Sequence, residues 1–405
     1  MSTVTSNPAG DNGAANEETG IEQNVEAKSM LQIVVTQFKD HKLAVAGFLF
    51  ICVALLVAVF ADVISWAVNI DQNEQNLGHR YEAMFTTLEK SFSEREISLE
   101  NFFKADAARK ETVIKQLTES GLVQAGATQE QIVTKIATDG LDALPALQQL
   151  SGDAIGDFSK VVKRFETFHL FGTDEVGRDV FIRLVYGTRM SIFVGIIVAL
   201  AAAIIGLFIG SLAGYYGGII DVMLMRITDS LIALPRLPIL IVFSAISLTK
   251  LPFLNTLIGG DNESIWKVFI VLMIFSWMTV ARLVRGSILS IREREFVLAA
   301  RTLGAKDAWV IFRHITPNVI APLLVAVTLG VGEAILSEAA LSFLSLGIQP
   351  PTPSWGNMLM NAREMISDAP HLIMLPGFLI LLTVMSFNFF GDGLQDAIDP
   401  KAIRR

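Results

Sequence analysis

Apolar positions along this chain gather into long unbroken runs instead of alternating with polar ones. The runs lie near Leu43–Ala61, Met190–Leu212, Ile227–Leu248, Val268–Val280, Val319–Ile335 and Leu372–Phe390, with polar blocks between them. A spanning helix needs about 20 mostly apolar residues, and the fourth and fifth runs reach that length with their mildly polar flanks. A β-barrel would show alternation. The pattern therefore predicts an all-α polytopic membrane protein with six transmembrane helices.

The polar blocks differ among themselves. Residues 1–26, rich in Ser, Thr, Gly, Asn, Ala and Glu, predict a disordered tail. Met30, Ile33, Val34 and Phe38 recur at helical spacing, so Ala27–Asp40 reads as a helix along the membrane surface or as an extension of the first span. Residues 71–169 separate the first two runs, with Pro145 as their single proline. Within them Tyr81–Lys90, Ile97–Leu117 and Gln129–Ile136 carry apolar residues at three-and-four spacing. Thr128 ahead of Gln131 resembles a capping box. A small helical domain or a long helical hairpin follows, serving as a spacer, a packing cap or a binding domain.

Charge orients the spans. Only 18% of the residues are charged, against roughly 25% in soluble domains. The net charge of −8 hides a basic island between the fourth and fifth runs: Arg282, Arg285, Arg292, Arg294, Arg301, Lys306 and Arg313. Lys401, Arg404 and Arg405 follow the last run, whereas the intervening loops hold little beyond Lys250, Lys267 and Arg363. The positive-inside rule puts the island and both ends in the cytoplasm and the 71–169 block outside. The lone cysteine, Cys52, excludes a disulfide or thiolate metal site within the chain. The first run starts too late for an ordinary signal peptide and reads as an uncleaved anchor.

Several residues are candidates for chemistry. Asp174, Glu175 and Asp179 could suggest a cation site, but EF-hand spacing is absent and flanking glycines mark a turn, so no metal is assigned. Asp179 with Arg183, and Arg226 with Asp229, stand at helical pairing distance. Pro235 and Pro238 bend the third span, either to line a pathway or to satisfy packing. Glu333 and Glu338 are intramembrane carboxylates, functional by default. Glu338 lies nearer the outer end, within reach of water, which leaves Glu333 the stronger pathway or gating candidate. Trp355, after a proline-rich outer loop, fits a membrane interface. No phosphate loop of the G-x-x-x-x-G-K-[ST] type occurs, and no cofactor is implied.

The island has the order of a folded element. Glu295–Leu303 favours a helix, Gly304 can end it in the left-handed conformation, Lys306–His314 favours a second helix, and Pro317 reads as its stop. The small Ala299 and Ala300 admit another surface, and the arginines can meet its acidic groups.

Ala299-Ala300-x3-Gly304 ending near Pro317 resembles the coupling loop of ABC importer permeases. Gly172-Thr173-Asp174-x-x-Gly177-Arg178-Asp179, Tyr186-Gly187-x-Arg189-x-Ser191, the stretch Leu341–Gly356 and Gly391-Asp392-Gly393-Leu394-x-Asp396 are similar, in order and spacing, to the C-type permease subunit of oligopeptide and dipeptide importers. The resemblance covers about 171–401 plus the first span. Leu298 departs from it, standing where glutamate is common, as does Thr316, where leucine is usual. The 71–169 block is also longer than the family leads one to expect.

The resemblance implies a type I ABC importer permease fold, with Glu295, Ala299, Ala300, Gly304, Ala305 and Pro317 in an ATPase-coupling loop. It also implies a second permease subunit, two cytoplasmic ATPase subunits that hydrolyse ATP in place of this chain, and an extracytoplasmic solute-binding protein. The expected division is a 1–41 tail, a first span at 42–68, an outer helical insert at 69–170 and a lead-in motif at 171–188. A five-helix core at 189–391 with the coupling loop at 286–318 follows, then a 392–405 tail. Other readings stay open: an ion-coupled secondary transporter using Glu333 and Asp62, a permease for nickel or a peptide-like solute, and a receptor sensing through the insert.

Overall fold

The computed structural model describes residues 30–105, 107–124, 126–150, 152–246 and 262–398. The expected disordered tail, Lys250, the end of the third apolar run and the basic residues Lys401, Arg404 and Arg405 lie outside the described residues.

Helix α1 (Met30–Asp40) is separate from α2 (Lys42–Val59). His41 divides them, its Nδ1 accepting from the Ala44 N–H at 3.2 Å. Phe38 of α1 lies 6.2 Å from Phe48 and 5.7 Å from Phe390, so the helix is pinned to the first and last spans. A short α3 (Ala61–Val68) follows and ends at Asn69 in the left-handed region.

The insert hangs from a neck. Strand β1 (Thr86–Glu89) pairs antiparallel with β2 (Glu166–His169), Glu89 opposite Glu166. Between the strands run α4 (Phe92–Ala105), α5 (Ala107–Glu119), α6 (Gln129–Asp139), α7 (Leu144–Gln148) and α8 (Asp153–Lys163). Leu99, Phe103, Leu117, Ile132, Ile136 and Phe158 make its own core, so this is a small domain and not a hairpin. The Thr128–Gln131 capping box forms at the head of α6. Tyr81–Lys90, expected from its spacing to be helical, is instead turns and β1. Tyr81 and Phe85 adopt φ of 56° and 62°, which stops helix propagation, and the β-branched Thr86 and Thr87 suit a strand. The all-α expectation therefore gains one two-stranded sheet.

Helices α9 (Val180–Tyr216), α10 (Gly218–Ile232), α11 (Arg236–Ala245) and α12 (Glu263–Ile291) come next. The island holds α13 (Glu295–Thr302) and α14 (Asp307–Val310). Helices α15 (Thr316–Phe343), α16 (Trp355–Ala362) and α17 (His371–Ile398) complete the described chain. Among the described residues five helices are long and apolar enough to span, and α10 with α11 makes a sixth only as a pair bent by 87°. Pro235 sits extended at that break, where its missing N–H ends helical bonding, so the third span is broken and not merely bent. Asp179 caps α9 well ahead of the apolar run that begins at Met190, and α17 carries Gly391–Asp396 as helix.

Helix α9 organises the bundle. Gly206 and Gly210, four apart, face α12 so closely that a Cβ on either would stand 2.6 Å from Val280 Cβ or the Ala281 carbonyl. Packing through small residues at this spacing lets spanning helices approach without a hydrophobic drive.

Candidate functional site: the island, the lead-in motif and the membrane charge pairs

Helix α13 ends at a turn in which Gly304 takes φ +81°, as its position after Leu303 predicts. Pro317, expected to stop the second helix, does not stop it. Residues 307–343 form one apolar helical stretch in which α14 passes through a π-turn at Ile311–Ile315 directly into α15. Pro317 occupies the first turn of α15, where a missing N–H is tolerated and a fixed φ favours the helix. The island is thus one free helix folded against the head of a spanning helix.

Its two faces differ. Val297, Val310 and Ile315 are buried in one cluster with Tyr215 of α9 and Val284 and Ile288 of α12, and Ala300 is 9% exposed. The opposite face carries Leu303 at 88% and Phe312 at 75% exposure, with Leu298 and Trp309 half exposed. Glu295, Ala299, Gly304 and Pro317 are also exposed and Ala305 is half-buried, so of the paired alanines only Ala299 offers itself outward.

The island is fastened to the spans. Tyr215 Oη donates to Asp307 Oδ1 at 2.6 Å, and the Arg301 guanidinium lies 5.8 Å from the Tyr215 ring. Arg292 donates to the Gly214 carbonyl at 2.9 Å. Arg285 donates two hydrogen bonds to Asp221, at 2.5 and 2.6 Å. Several arginines expected to meet an external surface are thus engaged inside the chain. Asp229 pairs with Arg282 at 3.3 Å and not with Arg226, because α10 and α12 lie side by side and bring those side chains together.

On the insert side the lead-in motif is a latch. Thr173 Oγ1 donates to the His79 carbonyl at 2.6 Å and accepts from the Glu82 N–H at 3.0 Å. Asp174 accepts from Arg178 Nε at 2.7 Å and lies 3.4 Å from Arg183. Glu175 accepts from Arg178 at 2.7 Å and from Asn361 of α16 at 2.8 Å. Asp179 takes the Ile182 N–H and stands 2.7 Å from His169 of β2. The expected Asp179–Arg183 pair is not made, since capping turns Asp179 back toward β2. Gly172 and Gly177 hold φ of 72° and 76°, with Gly177 packed on the Asn76 backbone. The motif joins the neck, β2 and α16 to the head of α9. Burial pushes the Glu175 carboxyl up, the Asp174 charge adding to it, and burial likewise raises Glu74, which lies 3.5 Å from Lys90.

The two carboxylates of α15 part company. Glu338, expected within reach of water, is fully enclosed: Ser342 donates to it at 2.7 Å and Ser191 at 3.4 Å. Trp355, expected at the interface, is also buried. It starts α16 behind a Ser354–Asn357 capping box and packs against Gly187, whose missing side chain leaves room. Glu333 is 62% exposed and ion-pairs with Arg236, the first residue of α11. Arg236 was missed from the sequence, though a basic residue directly after Pro235 inside an apolar run was a visible signal. Asp62 is held by Arg189 at 2.8 Å and Tyr186 at 2.7 Å. Among the described residues no three His, Cys, Asp or Glu side chains converge as a metal site.

The chain is similar to known proteins over much of its length. Residues 206–404 match the family described as binding-protein-dependent transport system inner membrane component. Residues 29–83 match the N-terminal TM domain of oligopeptide transport permease C. The chain is 44% identical over 233 residues to a dipeptide transport system permease protein of Alkalihalophilus pseudofirmus, covering 58% of this chain and 72% of that protein. It is 40% identical over 233 residues to an oligopeptide transport system permease protein of Bacillus subtilis, with the same coverages of 58% and 72%. A glutathione transport system permease protein of Pectobacterium atrosepticum is 39% identical over 245 residues, covering 60% and 77%.

Proposed function

This chain belongs to the inner membrane components of binding-protein-dependent transport systems, and we propose on that premise that it forms half of a heterodimeric pathway importing short peptides at the expense of ATP. The observation that carries the proposal is the apolar crest of Leu298, Leu303, Trp309 and Phe312 standing on a base fastened to α9 and α12. Exposed apolar patches on an ordered base mark docking sites. Here the occupant is a cytoplasmic ATPase subunit, one of two, which supplies the hydrolysis this chain has no phosphate loop to perform. Glu295, Ala299 and Gly304 border the contact.

In this reading the island lies in the cytoplasm, supported by its excess of Arg and Lys, and the insert lies outside. Closure of the ATPases pushes α13, and the Tyr215–Asp307 and Arg292–Gly214 bonds carry the push into α9, rocking the spans between inward- and outward-open states. The broken third span at Pro235 is where one half of a span moves against the other. Outside, the latch Gly172–Asp179 fixes the insert beside the entrance, and the insert helps to seat the solute-binding protein.

The carboxylates an ion-coupled transporter would use, Asp62 and Glu333, are each paired with arginine, which favours ATP as the energy source. Purified importer in proteoliposomes should take up a dipeptide only with ATP and binding protein present, and vanadate should abolish uptake. Uptake that survives vanadate would overturn the proposal.

A further inference from the structure

Two carboxylates lie five residues apart in α15, and the fold treats them oppositely. Glu338 is enclosed among serines, whereas Glu333 stands open on a face it shares with Leu336. A carboxylate at membrane depth does not face lipid without a heavy cost, so that face borders a polar space. Arg236 reaches Glu333 from the head of α11, directly after the 87° break.

The pair has capacity left over. Arg236 is half-buried, and its Nε is buried with no hydrogen-bond partner. Its Nη2 lies 3.5 Å from the hydroxyl of Ser276 on α12, whose own hydrogen goes to the Leu272 carbonyl at 2.7 Å. Glu333, mostly exposed, keeps acceptor sites free. Further along α12, Arg282 pairs with Asp229 of α10, and both side chains are about half exposed.

We propose that Arg236 and Glu333 form a relay site for the charged termini of a peptide in transit. The carboxylate end takes the guanidinium of Arg236, and the ammonium end takes Glu333. The proposal rests on the peptide-importer reading and adds to it where the pathway holds its cargo and by what chemistry. A zwitterion exchanges with the pair partner for partner, so no charge stands alone at membrane depth during the exchange. A peptide lacking one charged end leaves either Arg236 or Glu333 uncompensated, and a polar site left unpaired discriminates strongly.

The test uses the complete importer in proteoliposomes with ATP, with uptake normalised to the amount of peptide held by the binding protein. The probes are a free dialanine, its N-acetyl form and its C-terminal amide. Wild type should favour the free dipeptide by about tenfold. Glu333→Gln should raise KM for the free dipeptide and lose discrimination against the N-acetyl form only. Arg236→Gln should lose discrimination against the amide only. The exchanged double variant R236E/E333R keeps an ion pair and serves as the structural control. It should reach the membrane at wild-type level and keep the preference for the free dipeptide, because the exchanged charges still meet both ends of a zwitterion; loss of that preference would overturn the relay. If both single variants lower uptake of all three probes equally, or none, the pair is a structural bridge and the relay is overturned alone. If wild type imports no peptide with ATP, the importer reading falls and takes the relay with it.

Discussion

Tyr215 Oη donates to Asp307 Oδ1 at 2.6 Å, joining the last turn of the second span to the first residue of α14. A hydrogen bond to a charged acceptor contributes about 1.5–3 kcal/mol. Tyr215→Phe should therefore loosen the island without unfolding the bundle. ATP-driven uptake should fall several-fold while the amount of protein in the membrane stays at wild-type level, as read by transport assay and immunoblot of the same vesicles.

The outward and inward faces of α13 should respond differently to charge. Leu303→Asp alters a side chain that touches solvent, so thermal stability should hold while co-purification of the ATPase is lost. Ala300→Asp puts a carboxylate into the apolar seat beside Val297 and should lower the melting temperature itself. Pull-down and thermal unfolding of both variants, measured together, check the orientation of the helix.

Gly304 holds φ +81° with open space around it. Gly304→Val thus meets no clash but bears the left-handed strain of about 1–2 kcal/mol. Uptake should drop and Gly304→Asn should recover part of it, since Asn tolerates this region. Equal loss in both would point to a steric contact with the partner in place of backbone strain.

Glu338 and its serines hold α15 against α9 and the loop after α15. Removing the carboxylate by Glu338→Ala leaves buried hydroxyls without their acceptor, at a cost of about 1–3 kcal/mol. Less folded protein should accumulate, while transport per folded molecule stays near wild type. Glu338→Gln should be milder in accumulation, because one oxygen still accepts.

Glu74 and Glu175 bring a pH dependence of definite sign. Burial raises both carboxyls above the ordinary value of 4.5, so over that interval the native state binds more protons than the unfolded one. Their contribution is fully present below 4.5 and is lost as pH rises through the higher folded value. Replacing Glu74 by Gln should flatten the fall of melting temperature with rising pH in that window, measured as the difference between variant and wild type.

Much of the fold could be read from local signals. Continuous apolar runs located the spans, the break at Pro235 fell where proline removes a helical donor, and the Thr128 cap and the left-handed Gly304 formed where their residue types favour them. These features depend on residues near in the chain. Most of the errors share a cause: they required knowing what lay across an interface. Tyr81–Lys90 carries helical spacing, but β2, some eighty residues on, claims it as a strand. Asp179 had a partner four residues away and took His169 instead, and Asp229 passed over Arg226 for Arg282. Pro317 looked like a stop because a π-turn that carries the chain past it leaves no mark in composition.

The sequence by itself determined a helical membrane protein with a folded island and, through its ordered motifs, the family. Spanning helices follow from hydropathy and backbone satisfaction, and a string of motifs keeps its order whatever the packing. Only tertiary structure decided the fate of each charge. It enclosed Glu338, left Glu333 open beside Arg236, turned Ala300 inward and Leu303 outward, and built a latch from Gly172–Asp179. Each outcome depends on which helix face meets which neighbour, a property of distances between residues far apart in the chain.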